Sequence, residues 1–134
     1  KTIPTRLNQQ LSALLAQYVA AWETADSAAL IAVLREDVAL TMPPLPVWFG
    51  GRADVKAFLD GYLFKSSDPF KVKLVALRIN GSPAFATYQM DGQGIYRAAA
   101  IQILTVEYGK ISEINDYLSF NGELFRKLNL PLLV

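Results

Sequence analysis

Three turn signals divide the second half of the chain and constrain its fold more than any other feature of the sequence. Asn80-Gly81 is a strong hairpin signal because both residues accept positive φ angles, and Gly92–Gly94 and Tyr108–Lys110 are also turn-forming. The segments between these turns are apolar and rich in residues that favour strands. They predict four consecutive antiparallel strands, over Lys71–Ile79, Ala84–Asp91, Ile95–Glu107 and Ile111–Phe120.

The first half of the chain predicts helices. Apolar side chains recur there at spacings of three and four, as on one stripe of an amphipathic helix: Leu11, Leu15, Tyr18 and Trp22. Asp26 is expected to cap a second helix, which carries Leu30, Ile31 and Leu34 inward and ends near Glu36-Asp37. A third helix is expected after Gly50-Gly51. Its inner side would carry Val55, Phe58, Leu59, Tyr62 and Leu63.

A short strand, Val38–Met42, is predicted between the second and third helices. Pro43, Pro44 and Pro46 follow it and predict a stiff loop at a rim, since proline cannot donate to a strand ladder. Residues 1–134 are thus expected to form a single α+β domain, with three N-terminal helices packed on a curved, mainly antiparallel sheet.

Composition excludes several classes of protein. Hydrophobic residues make up 52% of the chain and charged residues 19%, which excludes a disordered chain. A formal net charge of +1 argues against direct binding of nucleic acid. No targeting segment or membrane-length apolar run is present, so we expect a cytoplasmic protein without membrane association.

The chain contains neither histidine nor cysteine. Thiolate chemistry and Ser-His-Asp catalysis are therefore excluded. The commonest metal ligands are also missing, and we expect no metal and no cofactor. If the protein is an enzyme, its acid or base is a carboxylate, a tyrosine or a lysine.

Strand alternation predicts a pocket on the inner face of the sheet, because residues two apart share a face. On the last strand Asp116 shares a face with apolar residues, namely Ile114, Leu118 and Phe120. On the strand before it, Gln102 is the one amide in a set with Tyr96, Ala98, Ala100, Leu104 and Val106. The strand before that is expected to turn Ala84, Ala86, Tyr88 and Met90 inward. Small residues with few polar atoms on a concave face are typical of a ligand pocket.

The outer face of the sheet predicts a homodimer. The opposite side of the long strand carries Ala99, Ile101 and Ile103 at its centre, flanked by Arg97 and Thr105. This centre is too apolar to face water in a monomer. We expect two copies to pair face to face through it.

Three segments together resemble the SnoaL-like branch of the nuclear transport factor 2-like superfamily. They are QYVAAWETAD (Gln17–Asp26), LREDVALTMPPLPVWFGGRADVKAFL (Leu34–Leu59) and GKISEINDYLS (Gly109–Ser119). The middle segment is especially similar to the SnoaL-like domain that follows the sigma modules in some extracytoplasmic-function sigma factors. The middle and last segments also resemble limonene-1,2-epoxide hydrolase. The resemblance implies a cone-shaped α+β barrel, a fold that hosts both enzymes and binding modules.

The resemblance also implies roles for single residues. Asp116 falls on the acid/base aspartate of SnoaL-type cyclases, and Asp116-Tyr117 matches an Asp-aromatic pair of the epoxide hydrolase. The arginine and second aspartate of the hydrolase pattern fall at Tyr88 and Met90, so its hydrolytic relay is not kept. In the ketosteroid isomerase pattern, Tyr18 falls on the oxyanion-hole tyrosine. Its base and its protonated aspartate fall near Met42 and Gln102.

These observations lead to two functional hypotheses. The first is a small-molecule-binding domain with a largely apolar cavity around a buried aspartate, acting as a ligand-sensing or accessory module. The alternative is a SnoaL-like cyclase or isomerase, or an epoxide-hydrolase-like enzyme, with Asp116 as general acid/base and Tyr18 polarising a carbonyl. Ligand contacts are expected from Trp22, Met42, Trp48, Phe58, Tyr62, Tyr88, Met90, Gln102 and Leu118. Aromatic residues at helical spacing are more often core residues, and that alternative stays open for Trp22, Trp48, Phe58 and Tyr62.

Overall fold

Helices and strands follow one another in the predicted order, with one additional strand before the third helix. The structure, a computed structural model, describes residues 5–67 and 69–134. Its helices are α1 (Thr5–Glu23), α2 (Ser27–Ala32), α3 (Arg52–Gly61) and α4 (Glu123–Lys127), with a 3₁₀ turn at Leu63–Lys65. Its strands are β1 (Leu34–Met42), β2 (Leu45–Gly50), β3 (Val72–Ile79), β4 (Ser82–Met90), β5 (Tyr96–Glu107) and β6 (Lys110–Leu118). No helix in the described part of the chain is long and apolar enough to cross a bilayer.

The strands form one sheet in the order β2-β1-β6-β5-β4-β3. Neighbours joined by short turns run antiparallel, whereas β1 and β6, which are distant in sequence, run parallel. Asn80 and Gly81 have φ angles of 50° and 80°, as the predicted β3–β4 hairpin requires. The predicted α+β class and the mainly antiparallel sheet are confirmed.

The second helix begins as predicted but ends earlier. The Asp26 carboxylate accepts a hydrogen bond from the Ala29 amide at 3.0 Å, which confirms the predicted cap. The helix ends at Ala32, however, and the prediction that it continues to Glu36-Asp37 is wrong. Leu34 is fully buried in β1, which is held by pairing with β6. Leu34 follows Leu30 by four residues, which is also the spacing of residues on one face of a helix. For this reason the sequence pattern placed Leu34 in α2.

The proline-rich segment contains a strand that the sequence did not predict. Leu45–Gly50 forms β2, which pairs only with β1 and so lies at the edge of the sheet. The pairing shifts register between Thr41 and Met42. An edge strand tolerates Pro46 because one side of its backbone needs no partner.

The first three helices cover the concave face of the sheet and enclose the main core. α1 contributes four buried residues to it, Leu14, Tyr18, Ala21 and Trp22. Val55 and Leu59 of α3 are also buried there. Periodicity therefore located the inner faces of both helices.

A β-bulge between β4 and β5 changes which residues face inward. Thr87 pairs with Ala100 and Tyr88 pairs with Ala98, so Ala99 is an extra residue on β5. An inserted residue moves the residues on one side of it to the opposite face. Ala98 therefore packs on the outer face, where strict alternation had placed it inward.

The orientation of β4 differs from the prediction. Phe85 lies directly opposite Gln102, so Phe85 and Thr87 face the helices. Tyr88 packs in a separate cluster on the outer face. The prediction that Ala84, Ala86, Tyr88 and Met90 face inward is wrong. Both faces of β4 carry small and aromatic residues, so only the register with β5 distinguishes them.

The last twelve residues, 123–134, lie against the outer face of the sheet, and we call them the C-terminal strap. Phe125 in α4 is fully buried against Tyr88, with ring centroids 5.3 Å apart, and packs in one cluster with Ile101. The Tyr88 hydroxyl donates to the Pro131 carbonyl at 2.8 Å. The backbone of the last residues also bonds to the start of β5. Ile101, at the centre of the surface expected to need a partner, is thus covered by the chain itself. The homodimer stays a prediction.

Candidate functional site

Asp116 lies near the end of β6, on the face that the helices cover. Asp116 lies directly opposite Gln102 on β5, and the Asp116 side chain is only 7% exposed. The burial predicted from strand alternation is therefore confirmed. Phe120, expected to continue the same face, is instead 75% exposed because β6 ends at Leu118.

A hydrogen bond joins α1 to this strand pair. The Tyr18 hydroxyl donates to Gln102 Oε1 at 2.5 Å, and both side chains are buried. Burial, and secondarily the charge of Asp116, raises the pKa of Tyr18 well above its usual value, while the Trp22 indole opposes this rise. Trp22 Nε1 itself makes no hydrogen bond of acceptable geometry to a described residue. Tyr18 therefore remains a hydroxyl donor at physiological pH.

Asp116 has an unusual protonation equilibrium. Burial raises its pKa to about 7, and the neighbouring Gln102 amide partly opposes that rise. Asp116 Oδ1 is buried and has no hydrogen-bond partner among the described residues. A protonated carboxyl can donate or accept, whereas an ionised one can only accept. Near neutral pH the side chain can therefore exchange a proton with a bound group or hydrogen-bond to it.

A cavity of about 80 Å³ lies against Asp116. A water molecule takes up about 30 Å³ in the liquid, so the space holds roughly two or three groups of that size. Its wall is mainly apolar, with a few polar side chains. The lining residues are Trp22, Met42, Leu63, Phe70, Val72, Thr87, Gln89, Ala99, Ala100, Gln102, Asp116 and Leu118.

The cavity brings together part of the predicted site. Trp22, Met42, Gln102, Asp116 and Leu118 line it, although these residues come from four different elements. Tyr18 does not line the cavity itself but is hydrogen-bonded to Gln102, which does. Their part in ligand binding stays a prediction.

Two predicted contacts lie on the other side of the sheet. Tyr88 is buried against Phe125 and bonded to Pro131 in the strap. Met90, two residues along the same strand, shares that orientation. Placing either side chain at the cavity was wrong, because β4 presents its other face to the helices.

Three predicted aromatic contacts lie away from the cavity. Trp48 is 67% exposed on edge strand β2, where its ring lies over Gly50. Tyr62, at the end of α3, is 66% exposed. Phe58 stacks on Phe49 with centroids 4.4 Å apart, which makes it a packing residue between α3 and β2. Placing these three at the cavity was wrong, because their helix and strand lie at the opposite edge of the sheet from β3 and β4.

The sequence prediction missed several wall residues. Thr87 and Gln89 come from the inner face of β4, and Ala99 from the bulge in β5. Thr87 Oγ1 is already bonded to the Ala100 carbonyl at 3.1 Å, so its hydroxyl is not free to donate. From the sequence of β4, either of its two alternating sets of residues could face the helices. The register with β5, which selects between them, does not follow from the sequence of β4.

A larger groove lies at the other end of α1 and contains none of the predicted residues. It measures about 780 Å³, and many of its lining residues are exposed, including Asn8, Gln10 and Arg78. Its exposed polar atoms are accessible to water. The smaller cavity is therefore the candidate site, because it holds the buried carboxyl.

The described residues contain no group of three acidic side chains that could hold a metal ion. Among the described residues, Asp116 is the one carboxylate in the cavity wall. A single carboxylate does not provide the ligand set of a Mg²⁺ or Ca²⁺ site. The chemistry available at this site is hydrogen bonding and proton exchange.

The fold is shared with solved structures at low sequence identity. An NTF-2 like protein of unknown function from Burkholderia xenovorans LB400 superposes with a TM-score of 0.70 at 14% identity, covering 95% of this chain and 98% of that one. A candidate ketosteroid isomerase from Kribbella flavida DSM 17836 gives a TM-score of 0.69 at 22% identity, covering 83% and 78%. A candidate polyketide cyclase from Xanthomonas campestris pv. campestris gives 0.63 at 21%, covering 86% and 94%. These similarities establish the NTF2-like fold.

Two comparisons concern the sequence itself. The chain is 27% identical over 118 residues to the ECF RNA polymerase sigma factor SigG of Mycobacterium tuberculosis, covering 88% of this chain and 31% of the sigma factor. It thus spans about a third of the length of that relative. Residues 15–114 match the SnoaL-like domain, and they include α1 from Leu15 onward and every strand as far as the middle of β6. With a match over most of its length, the chain belongs to the SnoaL-like domain family.

Proposed function

We propose that this domain binds a small, largely apolar molecule through the cavity at Asp116. The observation that supports this most is the buried Oδ1 of Asp116, which has no hydrogen-bond partner in the described part of the chain and lies in a mainly apolar wall. A buried polar atom without a partner costs about 1–3 kcal/mol, so a ligand group that bonds to it gains that stabilisation. The ligand would present one hydrogen-bonding group to Asp116 and apolar atoms to Trp22 and Leu118.

The size of the cavity restricts this ligand further. With about 80 Å³ available, only a small molecule or one end of a larger one fits without movement of the wall. The end that enters would be a hydroxyl, carbonyl or carboxyl group. The Leu63–Lys65 turn contributes Leu63 to the wall, and its Phe64 packs against Trp22, so a larger ligand would have to displace these contacts.

The biological role would be that of a ligand-sensing or accessory module. The similarity to part of a sigma factor supports this role, because there the matching region is joined to other modules of one chain. The hydrolase-like relay is also absent from the cavity, since the positions of its arginine and second aspartate are Tyr88 and Met90 on the outer face. The residues at the cavity therefore support ligand binding more directly than they support catalysis.

Catalysis by Asp116 is the second candidate function. A carboxyl with a pKa of about 7 is well matched to general acid/base chemistry at neutral pH. The similarity in fold to candidate isomerases and cyclases supports this candidate. Asp116 would then move a proton on the substrate without a cofactor.

A thermal-shift screen tests the first candidate. Small apolar alcohols, ketones and carboxylic acids are screened against the wild type and Asp116→Asn, since a ligand stabilises by RT ln(1 + [L]/Kd). We expect at least one compound to raise the melting temperature of the wild type and to shift the variant less. If no compound shifts the wild type, or if both respond equally, the proposed site is wrong.

A second measurement separates binding from catalysis. Each compound that binds is incubated with wild-type protein and analysed by mass spectrometry and NMR. A binding module returns it unchanged. Conversion that disappears in Asp116→Asn, while binding is retained, would establish the enzyme instead.

A further inference from the structure

Gln102 stands between Tyr18 and Asp116 and can present only one end of its amide to each. The Tyr18 hydroxyl donates to Gln102 Oε1 at 2.5 Å, so the carbonyl end faces α1. The NH₂ end is then left for the side of Asp116, the cross-strand partner of Gln102. All three residues are at most 7% exposed, so bulk solvent has little access to these groups.

We propose that Tyr18 is a positioning residue, which acts through Gln102 to keep the NH₂ end of that amide toward Asp116. An NH₂ group facing a carboxyl stabilises its ionised form. A flipped amide would present its carbonyl oxygen instead, and that oxygen accepts a hydrogen bond only from the protonated carboxyl. Tyr18 thus opposes the effect of burial and keeps Asp116 able to ionise. The inference rests on the proposed function only in treating Asp116 as the ligand contact.

The surroundings of Asp116 leave few other groups that could set its ionisation. α1, β1 and the 3₁₀ turn contribute Trp22, Met42 and Leu63 to the cavity wall. β3, β4 and β5 contribute apolar or uncharged side chains, namely Val72, Thr87, Gln89, Ala99, Ala100 and Gln102. None of these titrates, and burial and the Gln102 amide are the causes that set the pKa of Asp116. Tyr18, whose own pKa the charge of Asp116 raises, is bonded to that amide. Gln102 and its hydroxyl donor are therefore the groups to test.

The experiment is a pH titration of the aspartate side-chain carbons by ¹³C NMR, on ligand-free protein. Asp116→Asn identifies the signal by its loss. In Tyr18→Phe we expect the Asp116 midpoint to rise by about one pH unit, the effect of weakening one hydrogen bond to a charged group. Gln102→Met, which removes the donor, should raise the midpoint at least as much. In the double variant the Tyr18 change should add nothing, because its effect passes through Gln102.

A matched control is available on the other side of the sheet. Tyr88→Phe removes a buried hydroxyl that is bonded to Pro131, and it should leave the Asp116 midpoint unchanged. An unchanged Asp116 midpoint in Tyr18→Phe overturns the proposal. It is also overturned if Tyr18→Phe raises the midpoint equally in the wild-type and the Gln102→Met proteins. Should Tyr18→Phe not fold, an unchanged midpoint in Gln102→Met overturns it.

The titration and the ligand screen can fail separately. Because the titration uses no ligand, a screen without hits leaves its result standing. Conversely, an overturned role for Tyr18 leaves the cavity and its ligand to be judged by the screen alone.

Discussion

Asp116 and Gln102 face each other across β5 and β6 as a buried carboxyl and a buried amide. Residues paired across antiparallel strands lie within contact distance, so each is the nearest polar neighbour that the sheet offers the other. The Gln102 oxygen is already engaged by Tyr18. The carboxyl therefore depends on one neighbouring amide in a mainly apolar wall, and burial makes its ionisation unfavourable in the folded state.

Stability should consequently depend on pH through Asp116. An unfolded aspartate titrates near pH 3.9, whereas folding raises the pKa of Asp116 to about 7. Between these values the folded protein holds a proton that the unfolded chain has lost. This proton adds about 4 kcal/mol to the free energy of unfolding below about pH 4. That contribution is lost as the pH rises through 7. Urea denaturation of the wild type and Asp116→Asn across this range measures it.

Asp116→Asn should lack this pH dependence and exceed the wild type in stability at pH 8. Asp54→Asn, a change at an exposed acid in the first turn of α3, is the control and should follow the wild-type curve. If the wild type and Asp116→Asn have parallel pH profiles, the raised pKa is wrong.

Filling the cavity should abolish ligand binding without unfolding the protein. Ala100 is 5% exposed and lines the cavity, so Ala100→Leu places three more carbons in the space a ligand would occupy. We expect the thermal shift produced by any compound found in the screen to disappear. The added side chain should lower stability by about 1–3 kcal/mol if the wall does not adjust.

Ala86→Leu is the matched control for this change. Ala86 is fully buried on the neighbouring strand but faces the outer cluster. Overpacking there should lower stability to a similar extent while ligand binding persists. Binding that survives Ala100→Leu but not Ala86→Leu would place the ligand on the wrong side of the sheet for this proposal.

The sequence predicted the order of elements and the burial of Asp116 because both depend on local patterns. Turn residues such as Asn80-Gly81 and the cap at Asp26 specify conformation through their own backbone and side chains. A bulge at Ser112 interrupts the start of β6, but alternation is regular from Glu113 to Leu118. A carboxyl between apolar residues two apart therefore had to face the core.

The rest of the site depends on contacts between distant segments. The bulge at Ala99 and the register of Phe85 with Gln102 arise from how β4 and β5 meet, and neither strand alone specifies them. The same holds for Tyr88, whose burial results from the strap at the end of the chain. Trp48 was placed wrongly because its strand was predicted as a loop. Pairings of this kind are non-local and follow only from the assembled sheet.

The outer face still predicts a homodimer, but through a different part of the sheet. The strap covers Ile101, whereas Trp48 and Tyr117 remain 67% and 38% exposed on that face. Exposed aromatic residues of this kind are enriched in interfaces between proteins. We expect sedimentation at tens of micromolar protein to show a dimer, and Trp48→Ser to shift it toward monomer. Tyr62→Ser, at an equally exposed aromatic residue just after α3, should have no effect. A wild type that sediments as a monomer contradicts the prediction.

The strap should contribute strongly to stability although it lies apart from the cavity. Phe125 is fully buried, and replacing a buried phenylalanine by alanine costs about 3–5 kcal/mol. Leu128, 42% exposed and next to the end of the same helix, is the control, and Leu128→Ala should change stability by less than about 1 kcal/mol. Urea denaturation gives both values.

Because Phe125 packs on the face opposite Asp116, any Phe125→Ala protein that remains folded should still bind the ligand. Loss of binding in folded Phe125→Ala would mean that the two faces of the sheet are coupled, contrary to the separation of their two clusters.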